Sequence, residues 1–259
     1  MKKVTYIYLI YLFLPIALLL VGSFGQNWTN TLLPSGFTTQ WYLEIWDSVV
    51  YKRALSTSLI VCLSACVLNF LIITPLVYQL QTSENKSALK VTRFLALLPI
   101  AVPELILAFG FVLFFSQEST PWLGSTWLLI IGHWIITFPY FYFSVTSDIS
   151  RSPLISLNKV AQSFGASEFT RFKTVFLPLA SKSIFSGLVT VAAISLGEFQ
   201  LSNLIAGFMN RTYPTLLLQA FYGATGLACA ATVILLLMAI TMSLLSAWQP
   251  WNKRKSFKS

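Results

Sequence analysis

Apolar residues in this chain gather into six long blocks, at residues 5–24, 54–80, 94–115, 125–145, 183–208 and 226–248, separated by short polar intervals. A helix needs about 20 mainly apolar residues to cross a bilayer. The blocks therefore predict an all-α polytopic membrane protein with six transmembrane helices. Lys2 and Lys3 before the first block also suit a signal peptide, but the run is long for one, no A-x-A site follows, and five further blocks come after it. It is read as a retained helix with Pro15 inside. Asn69 and Pro75 interrupt the second block, and Pro99 and Pro103 the third, where Pro103-Glu104 marks a broken or kinked helix. The interval 25–51 turns at Pro34-Ser35-Gly36, and its Trp28, Trp41, Tyr42 and Trp46 suit a membrane interface. The interval 210–224 is read as an outer loop, helical in part.

Charge orients these spans. Fourteen of the 17 basic residues fall at the amino terminus, in the polar intervals 81–93 and 146–182, or in the tail; only Lys52, Arg53 and Arg211 fall on the other side. Basic loops stay inside, so both termini are expected to be cytoplasmic. Lys253-Arg254-Lys255, in the basic cytoplasmic tail 249–259, suits the anionic inner leaflet. The chain is 56% hydrophobic and 10% charged, and its net charge of +9 is spread over several loops, which argues against nucleic acid as a partner. Cys62, Cys66 and Cys229 all lie inside apolar blocks and form no CxxC pair, the pattern of buried small residues rather than a metal site.

One polar stretch, KVAQSFGASEFTRFKTVFLP at residues 159–178, has the features of a short helical hairpin. Val160 and Phe164 share a helical face, as do Ala161 and Gly165. Gly165 can end one helix with φ > 0 and re-aim the next. Phe169, Phe172 and Phe176 form an apolar stripe, with Glu168, Arg171 and Lys173 facing away. Leu177-Pro178 is expected to close the unit.

Ala161, then Gly165, then Val175-Phe176-Leu177-Pro178 resembles the EAA loop of binding-protein-dependent ABC importer permeases, with the family's spacing intact from Ala161 to Pro178. Lys159 and Val160 depart from its usual Glu-Ala, and Val175 from its Ile. The resemblance covers roughly residues 55–247 and is closest to polyamine, ferric-iron and phosphonate-type permeases. It extends more weakly to Ser195-Leu196-Gly197-Glu198-Phe199 and Arg211-Thr212-Tyr213-Pro214.

The resemblance implies a division into residues 1–53 (first helix and periplasmic loop), 54–248 (transmembrane core) and the tail. It implies a multi-pass location in the bacterial inner membrane and a cytoplasmic coupling helix between spans four and five. Ala161, Phe164, Gly165, Phe169, Leu177 and Pro178 would then contact an ATPase dimer that carries ATP and Mg. It also implies an extracytoplasmic substrate-binding protein and a second permease, a heterodimer being favoured over a homodimer.

Within the chain itself no catalytic set, cofactor site or metal site is apparent. His133 is the sole histidine and is expected to bond a neighbouring helix; no GxxxxGK[ST] stretch cradles a nucleotide. Glu104 and Glu198 lie within spans, where a charged side chain costs about 2.5–3.5 kcal/mol and usually faces a cavity or partner. Glu104 either supports the Pro103 kink or serves the pathway. Glu198, with Gln200, Ser202 and Asn203, marks a substrate pathway or subunit interface, or else interhelical bonding, and its charge mildly favours a cationic or metal-linked cargo. A rival reading is a self-contained secondary carrier using Glu104 or Glu198 as a proton relay; a structural scaffold would leave both acids unexplained.

Overall fold

A computed structural model describes residues 2–26, 28, 34–83, 85–150 and 152–247. The basic tail and Arg151 lie outside the described residues. Among the described residues the chain is helical throughout, with one isolated antiparallel bridge between Gly25 and Phe37. Helices α1 (Lys2–Ser23), α2 (Gln40–Asp47) and α3 (Val49–Leu68) come first, followed by a π-helical turn at Asn69–Ile73 and α4 (Thr74–Thr82). Next come α5 (Lys86–Ala101), α6 (Glu104–Phe115), α7 (Thr126–Ile149), α8 (Leu154–Ser163) and α9 (Glu168–Arg171). A second π-helical turn, Phe172–Phe176, leads into α10 (Leu177–Gly197), and α11 (Gln200–Ile205), α12 (Tyr213–Gly223) and α13 (Thr225–Ala247) complete the chain.

Five stretches are long and apolar enough to cross a membrane: Val4–Ser23, Val49–Thr82, Thr126–Ile149, Glu168–Gly197 and Thr225–Met242. The bent pair Ser87–Ala101 and Glu104–Phe115 makes a sixth, the two halves meeting at 96°. The all-α, polytopic reading stands, and so does the break at Pro103. Val102 precedes a proline and is held extended at φ −90°, ψ 123°, while Pro103 has no N–H to continue the ladder.

Proline acts otherwise at Pro75 and Pro178. Both sit in the first turn of a helix that continues directly from a π-helical turn. In the second case the Leu177 N–H reaches back five residues to the Phe172 carbonyl. The widened turn relieves the usual clash of a proline ring with the carbonyl four residues earlier. Pro178 therefore does not close the motif unit, as its sequence suggested. The unit runs without interruption into a 30-residue stretch, Glu168–Gly197.

The fifth apolar block is corrected as well: α10 stops at Gly197, and α11 is a separate short helix. The interval 25–51 gains α2, which packs on α13.

Helix α7 runs through the middle, packed against α3, α4, α5 and α10. Two apolar clusters sit along it. One surrounds Phe141, Tyr142, Val145 and Phe176 near the motif; the other surrounds Leu128, Leu129, Leu201 and Ile205 at the opposite end. At that opposite end the loops interlock through glycine. Gly124, at φ +84°, lies so close to the Gly207 backbone that a Cβ on Gly124 would stand 3.1 Å from the Gly207 Cα, and the Gly124 N–H donates to the Ile205 carbonyl at 2.9 Å. By contrast, α1 packs along α13 and leaves Tyr6, Ile10, Tyr11 and Phe13 uncovered by the rest of the chain.

Candidate functional site

The hairpin of residues 154–178 projects from one end of the bundle, and its turn is closed by local hydrogen bonds. The Gly165 N–H donates to the Gln162 carbonyl at 2.9 Å and the Ala166 N–H to the Ala161 carbonyl at 3.1 Å. That pair of bonds, around a glycine at φ +78°, is the Schellman closure of a helix. It gives the spacing from Ala161 to Gly165 a physical meaning: both positions belong to one capping device. Ser167 then opens α9, its Oγ accepting from the Thr170 N–H at 3.2 Å.

Two faces result. Outward, Phe164 is 87% exposed and Phe169 73%, with Val160 and Ile155 also exposed. Inward, Leu154, Asn158 and Phe176 are buried. The three phenylalanines therefore do not form one stripe: Phe172 and Phe176 stack on each other and pack against Tyr78, while Phe169 turns to the surface. Of the other motif residues, Ala161 and Leu177 are half-buried, and Gly165 and Pro178 are exposed.

The inward face is anchored by α4, which the sequence did not single out. The Tyr78 hydroxyl donates to Asn158 Oδ1 at 3.2 Å and approaches the Glu168 carbonyl at 3.5 Å. Beside it, Gln79 Nε2 donates to Glu168 Oε1 at 2.8 Å. Tyr78 thus holds α8 and α9 at once, and ties the hairpin to the span Val49–Thr82 as well as to the one it runs into. Tyr78 and Asn158 are 80 residues apart in sequence, and nothing in the local pattern around either points to the other.

Deeper in the bundle, a polar network crosses four elements. His133, on α7, meets Ser195 Oγ on α10 at 2.8 Å through Nδ1 and Ser202 Oγ on α11 at 2.9 Å through Nε2. As the sequence predicted, it bonds neighbouring helices. Thr137 Oγ1 donates to the His133 carbonyl at 2.6 Å and accepts from Asn69 Nδ2 at 3.1 Å.

Glu198 lies at the end of this network, 4% exposed, where α10 has stopped and α11 begins. Its carboxylate accepts from the Leu201 N–H at 2.6 Å, the Ser202 N–H at 2.9 Å and the Ser202 hydroxyl. These are the N–H groups that a helix start leaves without intrahelical partners, and a carboxylate there also meets the positive end of the helix dipole. His133 Nε2 stands 3.5 Å from the same carboxylate.

The remaining sequence candidates divide. Glu104 is half-buried in the first turn of α6. Gln200 is exposed. Asn203 is exposed and lines a hollow of about 410 Å3 between α11 and α12, together with Ser202, Arg211 and Gln219.

Known proteins resemble the chain across nearly its whole length. Residues 80–254 match the family described as binding-protein-dependent transport system inner membrane component. PhnV of Salmonella typhimurium (strain LT2), named as a permease protein for 2-aminoethylphosphonate transport, is 26% identical over 257 residues, covering 96% of this chain and 92% of PhnV. The spermidine/putrescine transport system permease protein PotC of Escherichia coli (strain K12) is 26% identical over 256 residues, covering 95% and 91%. Among solved structures, a bacterial alginate ABC transporter in complex with an alginate pentasaccharide-bound periplasmic protein shares the fold. It aligns with TM-score 0.74 and 17% identity over 95% of this chain and 90% of that one.

Proposed function

This chain belongs to the family of inner-membrane components of binding-protein-dependent transport systems, and we propose that it works as one permease subunit of an ATP-driven importer. It forms half of the substrate pathway and couples to a separate ATPase dimer through residues 161–178. The observation that carries the coupling is the two-faced hairpin: Phe164 and Phe169 stand free at one end of the bundle, while Tyr78, Phe172 and Phe176 bind the same unit to two spans. Two bare aromatic side chains on a capped turn suit insertion into a hydrophobic groove of a partner.

A push on that surface is transmitted by packed, continuous helix rather than by a flexible linker. The stretch Glu168–Gly197 carries it to Ser195 and Glu198, and Tyr78 carries it to the span Val49–Thr82. ATP and Mg bind on the partner, which does the hydrolysis; this subunit does no covalent chemistry. With the basic loops inside, the hairpin lies in the cytoplasm and the hollow beside Arg211 faces the extracytoplasmic substrate-binding protein. The chain carries one such hairpin, so the complete transporter holds two permease subunits, and a heterodimer fits better than two copies of this one.

Co-purification tests the reading. The chain, expressed with its natural partners, should bring down an ATPase, and replacing Phe164 and Phe169 together by serine should release it while the permease still inserts. Retention of the ATPase by the double variant would remove the hairpin from the interface.

A further inference from the structure

At the end of the bundle opposite the hairpin, Arg211 stands in the hollow of about 410 Å3 already described. Its guanidinium lies over the Phe208 ring, 4.6 Å from the centroid, and Nη1 donates to Gln219 Oε1 at 2.7 Å. A second, smaller hollow shares Phe208, Arg211 and Gln219 and adds Arg53 from α3. Among the described residues no carboxylate lines either hollow, and neither arginine forms an ion pair with an acid. Glu44 and Asp47, on the neighbouring α2, are not among the lining residues.

The segment that carries Arg211 is held on both sides. Before it, Asn210 Nδ2 donates to the Gly124 carbonyl at 2.7 Å and Asn210 Oδ1 accepts from Thr126 at 3.2 Å. After it, the Tyr213 N–H donates to Ser58 Oγ at 2.8 Å and the Tyr213 hydroxyl to the Ala231 carbonyl at 3.1 Å. The guanidinium is therefore presented from fixed backbone, with the ring covering one face and its in-plane N–H groups only partly used. Gln219 accepts through its carbonyl oxygen, which leaves its amide N–H groups to donate, and the Asn203 amide lines the same hollow.

We infer that this hollow binds the anionic head of the transported solute, a phosphonate, phosphate or carboxylate group, with Arg211 as the principal ligand, Gln219 and Asn203 as further donors and Arg53 supplying charge from the side. This rests on the permease reading and reverses the cationic cargo that Glu198 suggested. Glu198 is enclosed and engaged as a helix cap, whereas the open hollow sets arginine, asparagine and glutamine among apolar side chains. Planar, forked donors match such oxyanions, and the volume suits a small organic ion.

The test uses the whole transporter, with its ATPase and second permease, in nanodiscs of phosphatidylcholine, and methylphosphonate as the probe followed by 31P NMR line broadening. Saturable broadening is expected, displaced by inorganic phosphate and unaffected by 1,4-diaminobutane. R211Q should weaken binding about tenfold or more, the scale of losing a charged hydrogen-bond donor, R211K less, and K52Q, outside both hollows, not at all. No binding, or equal binding by R211Q, overturns the inference. So does loss of the second permease from R211Q, which would make the arginine a subunit contact. Displacement of the probe by phosphatidylglycerol would assign the site to a lipid headgroup instead of the solute. Absence of the ATPase from the purified wild-type assembly would contradict the proposed function separately, whatever the resonance does.

Discussion

Gly165 offers the cleanest perturbation of the proposed coupling hairpin, because its effect can be isolated. Its φ of +78° is reached at little cost only by glycine, and less readily by asparagine. A Cβ built there meets nothing within 4 Å, so a substitution adds no clash with a neighbour and removes no packing. What remains is backbone strain, about 1–2 kcal/mol for alanine and more for β-branched valine. If the strained turn relaxes in the free subunit and must be restored on docking, that energy is subtracted from ATPase affinity. A loss of 1.4 kcal/mol is about tenfold. The expected order of affinity is therefore glycine, asparagine, alanine, valine, with roughly a tenfold loss at alanine. The assay is titration of the purified ATPase onto the permease complex in nanodiscs, with ATP-driven uptake measured in parallel at matched expression. Insertion should be unaffected, since the turn lies outside the spans. If Gly165→Val binds the ATPase and transports like the wild type, the Schellman closure contributes nothing to coupling and the lever is elsewhere.

Tyr78→Phe keeps the ring contacts with Phe172 and Phe176 but leaves buried Asn158 without the hydroxyl; a stability loss of about 1–3 kcal/mol should appear as a lower melting temperature of the assembled transporter, together with ATP hydrolysis less tightly tied to uptake, and an unchanged melting temperature would remove the anchor. Glu198→Gln retains one acceptor for the Leu201 and Ser202 N–H groups, and Glu198→Leu retains none, so uptake and assembled yield should both fall in the order wild type, Gln, Leu; leucine equal to wild type would show that the cap does not matter. Cysteines placed at Ser35 and Ser119 should label from outside and one at Gln162 only from inside, all three positions being exposed while native Cys62 and Cys229 are buried. Gln162 is preferable to Ser167, whose hydroxyl caps α9, and outside labelling at Gln162 would reverse the orientation.

Some of this protein is written in short stretches of its sequence. Apolar blocks of bilayer length dictate helices because a chain in lipid must satisfy its backbone internally. The uneven placement of lysine and arginine carries the expected orientation. The Ala161–Gly165 spacing is legible because a Schellman closure uses only residues within one turn of each other. The break at Pro103 was legible, but Pro75 and Pro178, read as an interruption and a stop, are instead carried by π-helical turns, and the ladder's choice depends on what packs around it. Nor could the sequence say that Glu198 would be spent on the start of α11, since it reads a charge inside a span without showing the N–H groups that face it. Tyr78 with Asn158, His133 with Ser195 and Ser202, and Arg53 with Arg211 are brought together only when distant spans pack side by side. A side chain's own neighbours in sequence decide its helix; its neighbours in space decide whether it anchors, caps or stands open to a ligand.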